Sequence, residues 1–413
     1  MTGTSTTVDT VVVGAGQAGL ALSRCLTDRG REHVLLERGR VAERWHSERW
    51  DSFRLLTPNW HTRLPGWGYH GPDPDGFMDR TEVQRFFTSY ARSFDAPVRT
   101  GVTVTRVRPA DDGWSVRTDG GDVHARNVVV ATGHMDRPAV PATSAALPGD
   151  VVQLHSSRYR NPGQLPDGGV LVVGAGPSGQ QIADELALSG RRVHIAVGRH
   201  QVLPRRYRGR DPYWWLERTG ALRRTVDELS RPRTRLENPV LTGGRSLDLR
   251  VLARHGVVPH GRLLGVGPGG RLCFADDLAL SLRAAEDHTR RFRDRVDDHV
   301  ARTGLDAPPE PPPPSDLPRW AWEAATALDL RAAGVRSVVW ATGYRRDYSW
   351  LDAPVLDPGG VPVQRRGVTA APGLFFLGLW FMWRRDSSSI DGVGADAEYL
   401  AERIAARAAP SAA

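Results

Sequence analysis

A nine-residue glycine pattern occurs twice in this 413-residue chain and constrains its fold more than any other feature. Residues 11–19 read VVVGAGQAG, and residues 171–179 read LVVGAGPSG. In each copy a short apolar run, typical of a buried parallel strand, leads into glycines spaced G-x-G-x-x-G and then into a helical segment. Two βαβ units of the same kind, about 160 residues apart, predict two domains of one architecture.

The first copy places Gly14, Gly16 and Gly19 between a strand and a helix that begins with Gln17 and Ala18. In such a turn the first glycine permits the tight bend and the second lets the backbone approach a pyrophosphate. The third glycine lets helix and strand pack closely. The amides at the start of the helix donate hydrogen bonds to the phosphates, and the helix dipole favours their negative charge. The pattern predicts a dinucleotide site.

The residues that would contact the ribose differ between the two copies. The strand after the first turn ends in Glu37, 18 residues beyond Gly19. A carboxylate there accepts hydrogen bonds from the ribose hydroxyls and repels a 2′-phosphate. The equivalent position after the second turn is Val197, and the next charged residue is Arg199. A guanidinium in that place favours a 2′-phosphate.

The second copy therefore predicts a site for NADPH, and the first a site for FAD. The second site would be formed by Gly174, Gly176, Ser178 and Gly179, with Arg199 on the 2′-phosphate. Other arginines leave alternatives open for that phosphate, namely Arg191, Arg192, Arg205 and Arg206. With two dinucleotides in one chain, hydride can pass from the nicotinamide to the flavin.

The predicted fold class is α/β, with two Rossmann-like dinucleotide-binding domains, the second inserted into the first. Residues 1–155 and 335–413 form the discontinuous FAD-binding domain in this prediction. Residues 156–334 form the NADPH-binding domain, which carries a helical segment at 279–302 and a proline-rich linker at 307–318.

Composition excludes several other classes. The net charge is +8, every basic residue except histidine is arginine, and lysine chemistry is therefore impossible. Two cysteines exclude a disulfide scaffold and a cysteine-rich metal site. No apolar stretch is long enough for a membrane span and no signal peptide is apparent, so we expect a cytoplasmic protein. The scattered arginines favour anionic small molecules over nucleic acid.

Two further turns connect the predicted domains. Val129–Gly133 reads VVATG, and residues 340–344 read WATGY. With the glycine copies, these turns make the chain similar to the class B flavin-dependent monooxygenases, and closest in pattern to bacterial relatives of the plant indole-pyruvate monooxygenases. The resemblance implies that both turns contact cofactor, through Ala131, Thr132, Gly133, Ala341, Thr342 and Gly343.

The resemblance also transfers roles to single positions. It implies FAD contacts at Arg38, Trp45 and Arg80, and at Asp391 and Val393, where the last helix begins. A polar residue near the flavin ring is expected in the segment Leu55-Leu56-Thr57-Pro58-Asn59, and Asn59 is the catalytic candidate.

Three other segments receive an interpretation. The family fingerprint before the second turn retains His155 and Tyr159 but lacks its glycine, so His155 is expected to be structural. Residues 203–216 mix arginines with aromatic side chains, which fits either a hydrophobic cluster or subunit contact, or the wall of a substrate channel. The run Leu379-Trp380-Phe381-Met382-Trp383 is the better candidate for substrate contact.

The resemblance implies a monooxygenase that consumes NADPH and O2. A C4a-(hydro)peroxyflavin would transfer one oxygen atom to a small organic substrate. Two alternatives stay open: an NADPH-dependent reductase that passes electrons to a quinone or protein partner, and a non-enzymatic redox-sensing flavoprotein. The sequence does not decide whether the protein forms a homodimer.

Overall fold

A computed structural model describes residues 6–229, 239–311 and 316–407, and its core consists of two β-sheets built largely from parallel strands. The strands in chain order are β1 (Thr6–Val13), β2 (His33–Glu37), β3 (Arg63–Leu64), β4 (Trp67–Gly68), β5 (Val98–Thr100), β6 (Val104–Ala110), β7 (Gly113–Thr118), β8 (Gly121–Val130), β9 (Arg137–Pro138), β10 (Val152–His155), β11 (Gly169–Val173), β12 (Val193–Ala196), β13 (Gln201–Val202), β14 (Pro239–Val240), β15 (Val258–His260), β16 (Leu263–Val266), β17 (Arg271–Phe274), β18 (Ala327–Asp329), β19 (Val335–Trp340), β20 (Tyr344–Arg345) and β21 (Leu374–Phe376).

The helices cover the faces of these sheets, and several begin at a residue that caps the helix. Asp79 caps the third helix in a capping box with Glu82, in which each side chain accepts a hydrogen bond from the other residue's amide. The helices are α1 (Gln17–Thr27), α2 (Glu43–Ser47), α3 (Arg80–Arg92), α4 (Pro177–Leu188), α5 (Pro212–Arg218), α6 (Leu249–Arg254), α7 (Leu278–Thr303), α8 (Arg319–Trp322) and α9 (Val393–Ala406). Within the described ranges, no helix has the length and apolar composition that a membrane crossing requires.

The first sheet has seven strands in the order β5-β2-β1-β8-β7-β6, and β21 pairs with the second half of β8. Strands β5, β2, β1, β8 and β21 are parallel, whereas β6, β7 and the first half of β8 form an antiparallel meander. The centre of this sheet is fully buried at Val11, Val12, Val128 and Val129. Burial on both faces explains why these strands read as continuous apolar runs.

The second sheet has five parallel strands in the order β10-β19-β11-β12-β15. Two of its strands lie outside the predicted bounds of the second domain, residues 156–334. Strand β10 ends before residue 156 and β19 begins at residue 335, yet both belong to this sheet and not to the first. Strands β10 and β11 each pair in parallel with β19, over Val152–His155 and Gly169–Val173. We therefore propose that the inserted domain extends from about residue 140 to about residue 343, with the first domain on both sides of it.

The chain passes twice between the sheets, and the two crossings pair with each other. Strands β9 and β20 form an antiparallel ribbon in which Tyr344 lies opposite Pro138 and Arg345 opposite Arg137. The Ala139 amide donates to the Gly343 carbonyl at 2.9 Å, and the Thr342 hydroxyl donates to the Ala139 carbonyl at 2.6 Å. The exit from the first domain and the return to it therefore lie side by side.

Candidate functional site

One continuous cavity of about 3140 Å³ reaches both glycine turns. A pocket for a single small molecule typically measures about 300–1000 Å³, so this space can hold more than one ligand. The two ATG turns, residues 131–133 and 341–343, also line it. Of the residues predicted to contact cofactor or catalyse, those that line it are Gly14, Gly16, Gln17, Ala18, Glu37, Arg38, Trp45, Ala131, Thr132, Gly133, Gly174, Gly176, Ser178, Arg199, Ala341, Thr342 and Gly343.

The first glycine turn has the geometry that a pyrophosphate requires. Gly14 has φ of +105°, and a Cβ there would lie 2.9 Å from the Ala131 carbonyl oxygen. A Cβ at Gly19 would overlap the Gly14 carbonyl, whereas one at Gly16 would meet only open space. No side chain caps α1 at Gly16, so the amides of its first turn are available to a ligand in the cavity.

Glu37 is held at the end of β2 by backbone amides. Its two carboxylate oxygens accept hydrogen bonds from the Ala15 and Gly39 amides, each at 2.9 Å. Each oxygen retains a further lone pair, and the side chain lines the cavity. The carboxylate is therefore fixed in a position where ribose hydroxyls can donate to it.

The second glycine turn repeats this arrangement. Gly174 has φ of +109°, and a Cβ at Gly179 would overlap the Gly174 carbonyl. No side chain caps α4 at Gly176, and Ser178 in its first turn lines the cavity. Arg199 lies just beyond the end of β12 on the same cavity. The residues of both turns thus fit a dinucleotide, and the second also offers a cation near its ribose end.

Two of the arginines that were alternatives to Arg199 have structural roles instead. Arg191 donates to the carbonyl oxygens of Pro162 and Leu165, at 3.1 and 2.9 Å. Arg205 is buried, forms an ion pair with Asp211 and donates to the Leu56 carbonyl of the first domain at 2.9 Å. Neither side chain lines the cavity.

The catalytic prediction for Asn59 needs correction. Its amide nitrogen donates to the Asp73 carbonyl and its oxygen accepts from the Met78 amide, both at 2.8 Å. Asn59 is buried and does not line the cavity, whereas its neighbours Thr57 and His61 do. The side chain holds the loop of residues 73–78 because that loop offers it both a donor and an acceptor.

Five predicted cofactor-binding residues do not line the cavity: Gly19 and Gly179, which pack against the Gly14 and Gly174 carbonyls, and three others. Arg80 forms an ion pair with Asp51 at 3.1 Å. Asp391 accepts from Arg63 at 2.5 Å, which occupies the carboxylate. Val393 is fully buried in the core. The loop before α9 lines the cavity in place of the start of that helix. The Gln17 side-chain amide donates to the Ser388 carbonyl of this loop at 2.9 Å.

Sequence reasoning missed a group of polar side chains on the cavity wall. His61 Nδ1 and, in the predicted substrate segment, Trp380 Nε1 are buried without a hydrogen-bond partner. Asp386 lies on the same wall and forms an ion pair with Arg384, whose Nε is 3.2 Å from Oδ1. Burial lowers the pKa of His61 and raises that of Asp386 to about 6. Buried polar atoms without partners are rare in native proteins, so these atoms indicate that a polar ligand belongs in the cavity. No local motif marks them, because they come from separate segments.

Aromatic residues complete this part of the wall. Trp380 and Phe381 line the cavity, and the His134 ring contacts Trp380 with centroids 5.2 Å apart. Tyr213 lines it too, with its ring centroid 5.2 Å from that of His61. Burial, and to a smaller extent the charge of Arg346, lowers the pKa of His134 to about 4. The ring is therefore neutral at physiological pH.

Part of the segment 203–216 forms a hydrophobic cluster, and part of it lines the cavity. Trp215 is fully buried, and its indole N–H donates to the Tyr207 carbonyl at 2.7 Å. It belongs to a hydrophobic cluster with Leu203, Phe292 and Val296. Only Tyr213 and Leu216 of this segment reach the cavity.

His155 has the structural role that the sequence predicts. The ring is buried, Nε2 lies 2.9 Å from the Gly343 carbonyl, and Nδ1 lies 2.9 Å from the Ser157 hydroxyl. It does not line the cavity. His155 thus ties the end of β10 to the second ATG turn.

Comparisons with known proteins agree with this architecture. Residues 11–220 match the family described as pyridine nucleotide-disulphide oxidoreductase. An uncharacterized oxidoreductase, CzcO-like, of Geobacillus kaustophilus is 33% identical over 401 residues, which cover 96% of this chain and 98% of that protein. The rice indole-3-pyruvate monooxygenase YUCCA1 is 33% identical over 200 residues, 47% of this chain and 49% of that protein.

A solved structure extends the likeness to the whole fold. A flavin-containing monooxygenase from Stenotrophomonas maltophilia superposes with a TM-score of 0.67 at 21% identity, covering 98% of this chain and all of that chain. The family match and the relatives together place the chain among the oxidoreductase enzymes. The chain belongs to the pyridine nucleotide-disulphide oxidoreductase family.

Proposed function

We propose that this enzyme is an FAD-dependent monooxygenase that consumes NADPH and O2 and adds one oxygen atom to a small organic substrate. The balanced reaction converts substrate, O2, NADPH and a proton into oxygenated substrate, water and NADP⁺. The observation that carries the proposal is the single cavity that joins two dinucleotide turns of opposite ribose character. A dehydrogenase with one nicotinamide cofactor needs only one such turn.

The assignment of FAD to the first turn rests on Glu37, and that of NADPH to the second on Arg199. The amides at the start of α1 and α4 would bind the two pyrophosphates, and Glu37 would accept from the ribose of FAD. Arg199 would pair with the 2′-phosphate of NADPH. A neighbouring structure of the same fold, at 18% identity and a TM-score of 0.54, is described as OTEMO in complex with FAD and NADP.

When bound, FAD would supply the redox and oxygen-activating chemistry that amino-acid side chains lack. The chain's own residues provide the surroundings. Trp380, Phe381 and the neutral His134 form an uncharged, largely aromatic part of the cavity wall. His61 Nδ1 and Trp380 Nε1 have no hydrogen-bond partner, and they can orient a polar group of the substrate. No residue on the wall needs to act as a nucleophile.

The first experiment tests cofactor use. The purified protein should carry or take up FAD and become yellow. NADPH added without oxygen should bleach the flavin absorbance near the visible maximum, and NADH should do so much less efficiently. Readmitted oxygen should restore the colour. A protein that refuses FAD, or a bound flavin that NADPH does not bleach, would refute the proposal.

A matched pair of variants tests the assignment of the second turn. Arg199→Gln should weaken NADPH binding by about 10- to 100-fold, because a charge-assisted hydrogen bond contributes about 1.5–3 kcal/mol, and should leave NADH binding unchanged. Arg192→Gln, another arginine of the second domain that does not line the cavity, is the control. An unchanged NADPH affinity in Arg199→Gln would show that Arg199 does not bind the 2′-phosphate.

The reductase alternative makes a different prediction. Neither Cys25 nor Cys273 lines the cavity, and they are the only cysteines of the chain, so an internal cysteine pair cannot relay electrons. Turnover of NADPH with a quinone in the absence of oxygen would favour a reductase. Substrate-stimulated oxygen uptake with a product 16 mass units heavier would favour the monooxygenase.

A further inference from the structure

The His61 side chain is a candidate substrate contact that no sequence motif marks. It ends the short helical turn Asn59–His61. The ring lines the main cavity although it is only 2% exposed. Its Nδ1 atom has no hydrogen-bond partner among the described residues. Since buried polar atoms nearly always have a partner in native proteins, we expect a group bound in the cavity to supply one here.

The other ring nitrogen lies near a carboxylate that is held in place. His61 Nε2 is 3.8 Å from Asp391 Oδ2. Arg63 holds this carboxylate, because its Nε lies 2.5 Å from Oδ1, and its guanidinium also pairs with Glu217 at 3.1 Å. The negative charge of Asp391 favours the tautomer of His61 that carries its proton on Nε2. Burial lowers the pKa of His61, so the ring is neutral at physiological pH, and Nδ1 then offers only a lone pair.

The cavity wall beside this ring includes apolar side chains. The Tyr213 ring of the second domain packs against His61, with centroids 5.2 Å apart. Tyr213, Leu56 and Leu216 belong to one hydrophobic cluster, and all three line the cavity. A hydrogen bond formed in such surroundings is strengthened by the low dielectric, and an acceptor buried there without a donor is costly. The site can therefore distinguish ligands by whether they carry a hydrogen-bond donor.

His61 also lies near the first glycine turn. One short segment, Ser388–Asp391, contacts both of them. The Ser388 carbonyl accepts a hydrogen bond from the Gln17 side chain at the start of α1, and Asp391 lies beside the His61 ring. A ligand of His61 is therefore near the proposed FAD site, where a substrate of the proposed reaction has to bind.

We infer that His61 Nδ1 accepts a hydrogen bond from the substrate, which therefore carries a hydroxyl or N–H group on a largely apolar body. This inference rests on the proposed function, because it names the class of substrate for the main cavity. His61 acts as a specificity residue, which selects molecules that carry a donor and takes no part in bond making. Phenols, alcohols and anilines fit this class, whereas the corresponding ethers and fully alkylated amines do not.

Calorimetry with two matched probes tests the inference without depending on turnover. The probes are 4-(methylthio)phenol, which has a hydroxyl donor, and 1-methoxy-4-(methylthio)benzene, in which a methyl group replaces the hydroxyl proton. Each probe is titrated into the purified protein, whose flavin content is measured. The wild type should bind the phenol about tenfold more tightly than the ether, because only the phenol can donate to Nδ1.

Variants of His61 separate the hydrogen bond from the packing of the ring. His61→Phe keeps a ring and removes both nitrogens, so the phenol should lose about tenfold in affinity while the ether binds as before. The asparagine amide can take the place of Nδ1, whereas the longer glutamine amide reaches the place of Nε2. His61→Asn should therefore retain the preference for the phenol and His61→Gln should lose it, in variants whose folding is verified by circular dichroism and the melting temperature.

A histidine outside the cavity provides the matched control. His70 is exposed and does not line the cavity. The variant His70→Phe makes the same exchange as His61→Phe and should keep the preference of the wild type.

Two results would overturn the inference. One is a wild type that binds the phenol no more tightly than the ether, which would leave Nδ1 to water. The other is a preference for the phenol that persists in His61→Phe; weaker FAD binding in that variant would then assign Nδ1 to the flavin. Because binding is measured directly, a protein that shows the expected preference but consumes no oxygen would refute the proposed function and keep His61 as the ligand contact.

Discussion

His134 makes a quantitative prediction about the acid stability of the folded enzyme. The ring follows the first ATG turn, lines the main cavity and contacts Trp380. Burial and the charge of Arg346 lower its pKa from 6.5 to about 4. In the unfolded chain the ring takes up a proton as the pH falls through 6.5, whereas in the folded protein it does so only near pH 4.

The sign and size of the effect follow from linkage. Between pH 6.5 and 4 the unfolded state binds more protons at this site, so the free energy of unfolding falls with decreasing pH. The full stability is present above about pH 6.5. The loss reaches about 3 kcal/mol near pH 4, since each unit of pKa difference corresponds to about 1.36 kcal/mol.

The substitution His134→Gln should remove this part of the pH dependence. Glutamine does not titrate in this range and keeps an amide that can hydrogen-bond. Between pH 7 and 4, the free energy of unfolding should therefore fall by about 3 kcal/mol less in the variant than in the wild type. Urea denaturation followed by tryptophan fluorescence, with the cofactor content held constant, measures the difference.

The exposed His124 on β8 provides the control. His124→Gln, the same exchange at an exposed position, controls for effects of the substitution on the denaturation measurement itself. If His134→Gln gives a curve parallel to that of the wild type, the ring takes up its proton at the same pH in the folded and unfolded states. Burial in the cavity wall would then not lower its pKa.

Three further substitutions test other parts of the structure. Asn59→Ala should lower the free energy of unfolding by about 1–3 kcal/mol, because the hydrogen bonds to the loop of residues 73–78 are lost, and kcat/KM should stay unchanged. A large loss of kcat/KM in a stable variant would support a catalytic role for Asn59. Trp215→Ala should lower the free energy of unfolding, measured by urea denaturation, by about 3–5 kcal/mol. A decrease below about 1 kcal/mol would contradict its role in the core. Gly179→Ala should weaken NADPH roughly tenfold or more while FAD stays bound, as calorimetry and flavin absorbance would show.

The parts of the fold that local patterns control were predictable from the sequence. The spacing of Gly14, Gly16 and Gly19 predicts a strand, a turn and a helix, and the structure contains all three. The segment 279–302 was predicted as a helix, and α7 runs from Leu278 to Thr303. Such features depend on neighbours within a few residues, which the sequence displays directly.

Pairing between distant segments was not predictable in the same way. Strands β10 and β19 lie next to each other although about 180 residues separate them, and the predicted boundaries at 155 and 335 assign them to the wrong sheet. The strands β6 and β7 were also missed, because most residues of β6 are exposed and carry no continuous apolar run.

Single polar residues at the site were the least predictable. Asn59 sits in the expected segment, but its side chain bonds to a loop that begins 14 residues later in the chain. Arg205 was a candidate for a phosphate contact, and the fold instead buries it beside Asp211. The tertiary structure determines which hydrogen-bond partner a polar side chain finds. A single amino-acid sequence does not show that partner.

The ribbon of β9 and β20 bears on how such an enzyme can be modified. Because Ala139 and Gly343 are hydrogen-bonded neighbours, both covalent connections of the second domain lie at one place. Excision at these two residues would leave two ends close enough for a short turn to close. Arg205 also donates to the Leu56 carbonyl of the first domain, so a graft of this segment between relatives would have to match such contacts as well as the stem.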